Sequence, residues 1–171
     1  MPRILTDTEI VELLMEPKEL PQNWRVRLTP RKKRDRCHLE RQVRLVGSKG
    51  NRFRINVRDN PASLFDFSII LTFVDSDRTE YRLLRCNGKH PSDHTNKWEK
   101  KQRLPRAKFR NAFHTHKATE RYQQEGFDID GYAEETDKYH SLDSALEEFV
   151  RLGGFVTQTE ESSSGQMGLF D

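Results

Sequence analysis

Residues 39–58 read Leu39-Glu40-Arg41-Gln42-Val43-Arg44-Leu45-Val46-Gly47-Ser48-Lys49-Gly50-Asn51-Arg52-Phe53-Arg54-Ile55-Asn56-Val57-Arg58, and this stretch decides the fold class. On an extended chain Leu39, Val43 and Leu45 point one way while Gln42 and Arg44 point the other. Gly47-Ser48-Lys49-Gly50-Asn51 has the composition of a hairpin turn. Beyond it Phe53, Ile55 and Val57 alternate with Arg52, Arg54 and Arg58.

Further strands follow in both directions. Asp59-Asn60-Pro61 breaks the second strand, and Phe65 to Val74 is apolar on both faces through Ile69-Ile70-Leu71, as in a central or covered strand. Asp75-Ser76-Asp77 turns into Tyr81–Cys86. A long polar connection from Asn87 to Arg106 then leads to a strand expected over Lys108–His116. Upstream, Trp24, Val26 and Leu28 alternate with Arg25 and Arg27, which reads as another strand.

Helices flank this sheet. Thr6-Asp7-Thr8-Glu9 has the spacing of a capping box, Ile10, Leu13 and Leu14 share a face, and Pro17 limits the run. Near the other end Ser141 can cap a helix whose Leu142, Ala145, Leu146, Phe149 and Val150 form a stripe, and Gly153-Gly154 stops it. The expected fold is α+β: an N-terminal helix, a mostly antiparallel sheet of about five or six strands, and a C-terminal helix packed on it. Residues 1–156 are expected to form one domain, and 157–171, rich in Thr, Glu, Ser and Gly, a flexible tail.

Composition narrows the setting. No apolar run approaches the roughly 20 residues of a membrane helix, and Met1 to Thr6 lacks a secretory signal pattern. Cys37 and Cys86, far apart in sequence, read as reduced thiols, so the expected location is the cytoplasm. The net charge of +3 conceals an asymmetry: residues 24–58 carry 13 Lys/Arg against two acidic residues, and residues 118–171 carry 13 Asp/Glu against three basic ones. Either the basic part meets an anionic partner or the acidic part folds back and neutralises it.

If the basic strands are neighbours, Arg25, Arg27, Arg52, Arg54 and Arg58 build a grid of guanidinium groups on one sheet face. Like charges opposed across strands are unfavourable unless an anion lies between them, and phosphate suits arginine's paired donors. DNA or RNA is therefore the expected ligand, with a solvated face neutralised internally as the alternative.

Five of the six histidines lie between His90 and His140. His114 and His116 project from one face of an extended strand, and by alternation Lys108 and Arg110 would share it. Three chemistries fit. His114 and His116 can act as general acid and base on a phosphodiester, with His94 and Glu120 assisting and Arg110 on phosphate. Alternatively His90, His94, His114 and His116, with Asp93, Glu120 or Cys86, can hold a divalent metal, although no full ligand spacing identifies a cofactor. The third role is purely structural hydrogen bonding.

The layout Leu83-Leu84-Arg85-Cys86-Asn87-Gly88, His94-Thr95-Asn96, Phe113-His114-Thr115-His116, Ala118-Thr119-Glu120-Arg121-Tyr122 and Gly131-Tyr132-Ala133-Glu134 resembles a family of small bacterial and archaeal proteins of unknown function. The resemblance spans about Trp24 to Phe155. It implies that the polar loop, the His-x-His strand and the Thr-Glu-Arg-Tyr segment belong to one surface. It also carries an association with phage defence or toxin–antitoxin systems, and transfers no catalytic role.

The chain ends Gln166-Met167-Gly168-Leu169-Phe170-Asp171, which is similar to the peptide that binds the bacterial sliding clamp; Gln166, Met167, Leu169 and Phe170 match, and Gly168 departs from it. Leu169 and Phe170 are apolar anchors on a polar leader. The expectation is a nucleic-acid-binding protein recruited to DNA by the clamp. A nuclease- or ribonuclease-like enzyme and a non-enzymatic adaptor or inhibitor of a protein partner are the alternatives.

Overall fold

Thr6 opens the first helix as its sequence requires: the hydroxyl accepts from Glu9 N at 3.1 Å, and the Glu9 carboxylate accepts from Thr6 N at 2.9 Å. The computed structural model describes residues 2–32, 38–105 and 107–157. In order they form α1 (Asp7–Met15), β1 (Lys18–Leu20), α2 (Trp24–Leu28), β2 (Arg31–Lys32), β3 (Leu39–Val46), β4 (Arg52–Asp59), β5 (Phe67–Val74) and β6 (Glu80–Asn87). There follow β7 (Asp93–Thr95), α3 (Lys97–Lys101), β8 (Lys108–Arg110), β9 (His114–Lys117), α4 (Glu120–Gln124), β10 (Tyr132–Glu135), α5 (Leu142–Leu152) and β11 (Phe155–Thr157).

This is an α+β fold around a seven-stranded antiparallel sheet in the order β10-β9-β6-β5-β4-β3-β2. Its inner face carries Phe53, Ile55 and Val57 of β4, opposite Phe73, Leu71 and Ile69 of β5. Ile10 and Leu13 of α1, Trp24 and Leu28 of α2, and Ala145, Leu146 and Phe149 of α5 complete the core. Burying each such large side chain contributes roughly 1.5–3 kcal/mol, which is why the period-2 pattern of β4 fixes its register so firmly.

Two corrections concern elements. Trp24–Leu28 is a helix, not a strand: Trp24 and Leu28 fall on one helical face and are buried, leaving Arg25, Val26 and Arg27 exposed. The long polar connection from Asn87 to Arg106 contains β7 and α3, and β7 pairs with β8 in a separate hairpin. The expected Lys108–His116 strand is accordingly two strands, parted at Asn111, whose φ of 49° lies in the left-handed region that asparagine tolerates.

β6 carries a bulge. Leu84 faces Leu71, but the next pair is Arg82 with Thr72, so Leu83 is an extra residue. Past the sheet, α5 is capped by Ser141, whose hydroxyl accepts from Ser144 N at 3.2 Å. It ends at Gly153, and Gly154 follows at φ 68°, where a Cβ would lie 2.3 Å from Leu14 O. The parallel pair β1–β11 and the buried Lys18 tie this end to α1. Among the described residues, no helix is long and apolar enough to cross a membrane.

Candidate functional site

The outer face of the sheet is polar, and strand pairing determines which residues it gathers. His114 of β9 stands opposite Asn87 of β6, and His116 stands opposite Arg85. The intervening Thr115 and Cys86 point to the other face. Both imidazoles are only 2% exposed because the β7–β8 hairpin covers them. That hairpin brings His94, stacked on Phe109, to 4.8 Å from His116 and 5.5 Å from His114 between ring centroids. His90 approaches His114 edge-on at 5.3 Å, with its Nδ1 turned to Ser92 Oγ at 2.7 Å.

Hydrogen bonds assign the tautomers. His114 Nδ1 lies 2.8 Å from the Ala112 carbonyl and His116 Nδ1 lies 2.8 Å from the Asp130 carbonyl, so both Nδ1 atoms carry the proton. The two Nε2 lone pairs converge on Asn87 Nδ2, at 3.2 and 3.3 Å. His94 Nε2 donates to Asn96 Oδ1 at 2.9 Å. Asn96 is itself buried and fixed in both senses to the Ala133 backbone.

Burial holds all three rings neutral. It pushes His114 down to about 4, with His94, His90 and Arg85 adding repulsion and the Ala112 carbonyl opposing. His116 is pushed to about 2 by burial and by Arg85, and burial also lowers His94. Neutral imidazoles bind metal ions, and one ring nitrogen from each of His94, His114 and His116 lies within 4.8 Å of the others; this group could hold a metal ion.

The cluster borders a cleft of about 360 Å³ lined by Arg82, Arg85, His94, His116, Tyr122 and Asp130 among others. Asp130 is buried, with Arg82 Nε at 3.3 Å and Arg85 Nε at 3.5 Å from its carboxylate. Arg85 Nη2 also donates to His116 Nε2 at 3.2 Å. On the far wall, Tyr122 Oη donates to the buried Glu99 at 2.6 Å, and Arg121 donates to the other oxygen of Glu99 at 2.5 Å. Burial pushes Glu99 up, but these two donors outweigh it and hold its carboxyl below the usual range.

The arginine residues divide. Arg52, Arg54 and Arg58 lie on the outer face with Arg44, which stands directly opposite Arg54. Thr72 links Arg54 to Arg82, and the bulge puts Arg85 on the same face. Arg54 pairs with Glu80, Arg52 donates to the Asp75 carbonyl, and Arg58 donates to His38. Beside them lies a groove of about 630 Å³ lined by Arg44, Arg52, Arg54, Arg78 and Glu80 among others.

Several expected members lie elsewhere. Arg25 and Arg27 are on α2, away from the sheet face; Arg25 stacks on Trp24 and pairs with Glu147 at 2.8 Å. Some of the acidic part does therefore fold back onto the basic part. Arg110 is on β8, 3.5 Å from Asp93, and does not share the His114–His116 face. Glu120 begins α4 and accepts from Asp7 N, so it does not join the histidines. Cys86 belongs to the core side and is no ligand; burial pushes its thiol up to about 12. Cys37, Gln166, Met167, Leu169 and Phe170 lie outside the described residues.

Arg85, Asn87, Asn96, Glu99 and Asp130 are the site residues that sequence reasoning missed. Arg85 and Asn87 have the same two-residue spacing as His114 and His116, but only the pairing of β6 with β9 gives that spacing meaning. Compared with known proteins, the chain matches no family model, no curated protein and no solved structure.

Proposed function

We propose that the chain binds nucleic acid through the outer face of its sheet. The observation that carries this reading is the direct opposition of Arg44 and Arg54, flanked on the same face by Arg52, Arg58, Arg82 and Arg85. Glu80, Asp130 and Glu40, opposite Arg58, offset part of this charge, and phosphate would complement the remainder, since guanidinium groups on a strand pair match successive backbone phosphates. Binding carried by about four phosphate contacts weakens roughly 50- to 150-fold between ~50 and ~200 mM salt. Fluorescence anisotropy on single- and double-stranded DNA and RNA tests this. The Arg44→Ala/Arg58→Ala variant should bind more weakly and lose part of the salt slope. Salt-independent binding, or binding indifferent to both arginines, rejects the reading.

The terminal Gln166, Met167, Leu169 and Phe170 extend the proposal to a partner, the bacterial sliding clamp, which would bring the protein to DNA. Changing Leu169 and Phe170 to alanine should abolish clamp binding and leave nucleic-acid affinity intact.

A second reading, a phosphodiester-cleaving enzyme, is favoured by one observation: the arginine face runs without interruption into the histidine cleft, with Arg85 touching His116. Its cofactor would be a divalent metal. Under this reading His114→Gln loses turnover while retaining binding.

A further inference from the structure

We propose that His94, His114 and His116 hold one divalent transition-metal ion whose open coordination position faces the Arg82–Arg85 cleft and takes a phosphate oxygen. The phosphate half rests on phosphate recognition by the arginine face; the metal half stands without it.

Three independent features converge on this site. The first is the set of outer hydrogen bonds. A metal-bound histidine characteristically donates its remaining N–H to a carbonyl or carboxylate, which fixes its tautomer and orientation. All three rings do so here: His114 to Ala112 O, His116 to Asp130 O, and His94 to Asn96 Oδ1. The remaining lone pairs are His114 Nε2, His94 Nδ1 and His116 Nε2, the last also accepting from Arg85 at 3.2 Å, so Arg85 must swing towards the cleft for an ion to bind.

The second feature is Asn87. Its Nδ2 sits where two of those lone pairs meet, while its Oδ1 is buried and has no hydrogen-bond partner among the described residues. The amide therefore fills the position of a cation with its donor end and leaves its acceptor idle. Rotating the amide by half a turn exchanges the two, so that Oδ1 faces an ion seated between the imidazoles.

The third feature is charge. Three neutral imidazoles suit zinc, cobalt, nickel or copper rather than magnesium or calcium, which require oxygen ligands. They also leave the ion's charge uncompensated. The buried carboxylate nearest the cleft, Asp130, is engaged by Arg82 and Arg85. An anion is thus the remaining ligand that balances the site, and the same two arginines offer it donors from the cleft side. Nitrogens around a tetrahedral ion lie about 3.3 Å apart, so the triad must contract from its 4.8 Å limit. His94, half-buried on the β7–β8 hairpin, is the ring able to make that movement.

The test uses the full-length chain, freed of metal by a chelator and titrated with cobalt(II), whose visible absorption reports nitrogen coordination. The expected result is one equivalent bound with bands of a four- or five-coordinate ion. His94→Ala should abolish the bands, and Asn96→Ala should weaken binding about 10- to 100-fold by releasing the His94 ring. Circular dichroism checks that both variants fold, and neither residue lies in the main sheet. Inorganic phosphate should shift the cobalt bands of the wild type but not those of Arg85→Gln. Absence of bands in the wild type, or full cobalt binding by His94→Ala, overturns the metal site. Bands that ignore phosphate overturn the anion half alone. Nucleic-acid binding through Arg44 and Arg58, measured in chelator, is scored separately, so failure of either reading is recognisable.

Discussion

Lys18 is the place to perturb the fold with a magnitude worked in advance. It is fully buried, and its ammonium donates to the carbonyls of Leu13 (2.7 Å), Glu16 (2.8 Å), Gly153 (3.0 Å) and Leu14 (3.2 Å). It thereby closes the C-terminal ends of α1 and α5 with one side chain, above the Phe53 ring at 4.4 Å. Three charge-assisted N–H donors at about 2 kcal/mol each give roughly 6 kcal/mol. Against this, burial, partly offset by Glu16, pushes the ammonium down to about 8, a penalty of about 3 kcal/mol relative to its usual value. Lys18→Met keeps the stem's length and removes both effects, so it should destabilise by about 3 kcal/mol. In urea, followed by circular dichroism, that is a fall in midpoint of about 1–3 M with unchanged slope. A midpoint within the error of wild type would refute the reasoning, because desolvation would then cancel the hydrogen bonds completely.

Acid should unfold the metal-free chain through its histidines. His114 and His116 have folded pKa values below the unfolded value of about 6.5, so the unfolded chain binds more protons. The histidine contribution to stability is therefore flat above about pH 7 and falls as pH drops through 6.5 towards 4, by about 2–3 kcal/mol per histidine at pH 4.5. Urea titrations in chelator across this range should show a shallower fall for His114→Gln, and equal profiles would count against burial as the cause. Cys86 should resist thiol reagents in the folded Cys37→Ser variant and react once the chain is unfolded; rapid labelling of the native protein would contradict its place in the core. Gly154→Ala should cost at least about 1–2 kcal/mol, because φ is 68° and the new Cβ meets Leu14 O at 2.3 Å; thermal melts read this directly.

How much of this was legible depended on whether a residue's neighbour in space could be inferred. In β4 it could: Phe53, Ile55 and Val57 alternate with polar residues, and only one face of that strand is buried. The five residues Trp24–Leu28 fit two patterns at once. Trp24, Val26 and Leu28 satisfy period 2, while Trp24 and Leu28 alone satisfy the helical i, i+4 spacing. The exposed Val26 shows which pattern won. That error carried Arg25 and Arg27 onto the wrong surface. Arg110 was misplaced because the left-handed Asn111 separates β8 from β9, a break that side-chain alternation does not register. Glu120 lies six residues after His114 in sequence, yet α4 turns it towards Asp7. The His114–His116 pair was legible from parity, whereas Arg85 and Asn87 needed the identity of the partner strand.

The extra residue in β6 has a consequence for how the surface is wired. Arg82 and Arg85 are three residues apart, so an unbroken strand would send them to opposite sides of the sheet. The bulge at Leu83 resets the count between them. It is the joint that makes the arginine row of β3–β5 and the histidine cleft of β9 one continuous track. Were Leu83 taken into the ladder as an ordinary paired residue, a strand in frame with Arg85 would turn Arg82 and Glu80 inward and expel Tyr81 from its stack on Phe73. The track would then be cut at its midpoint, with the cleft residues untouched. Communication between the two halves of this surface thus hangs on a single odd-numbered step in one strand.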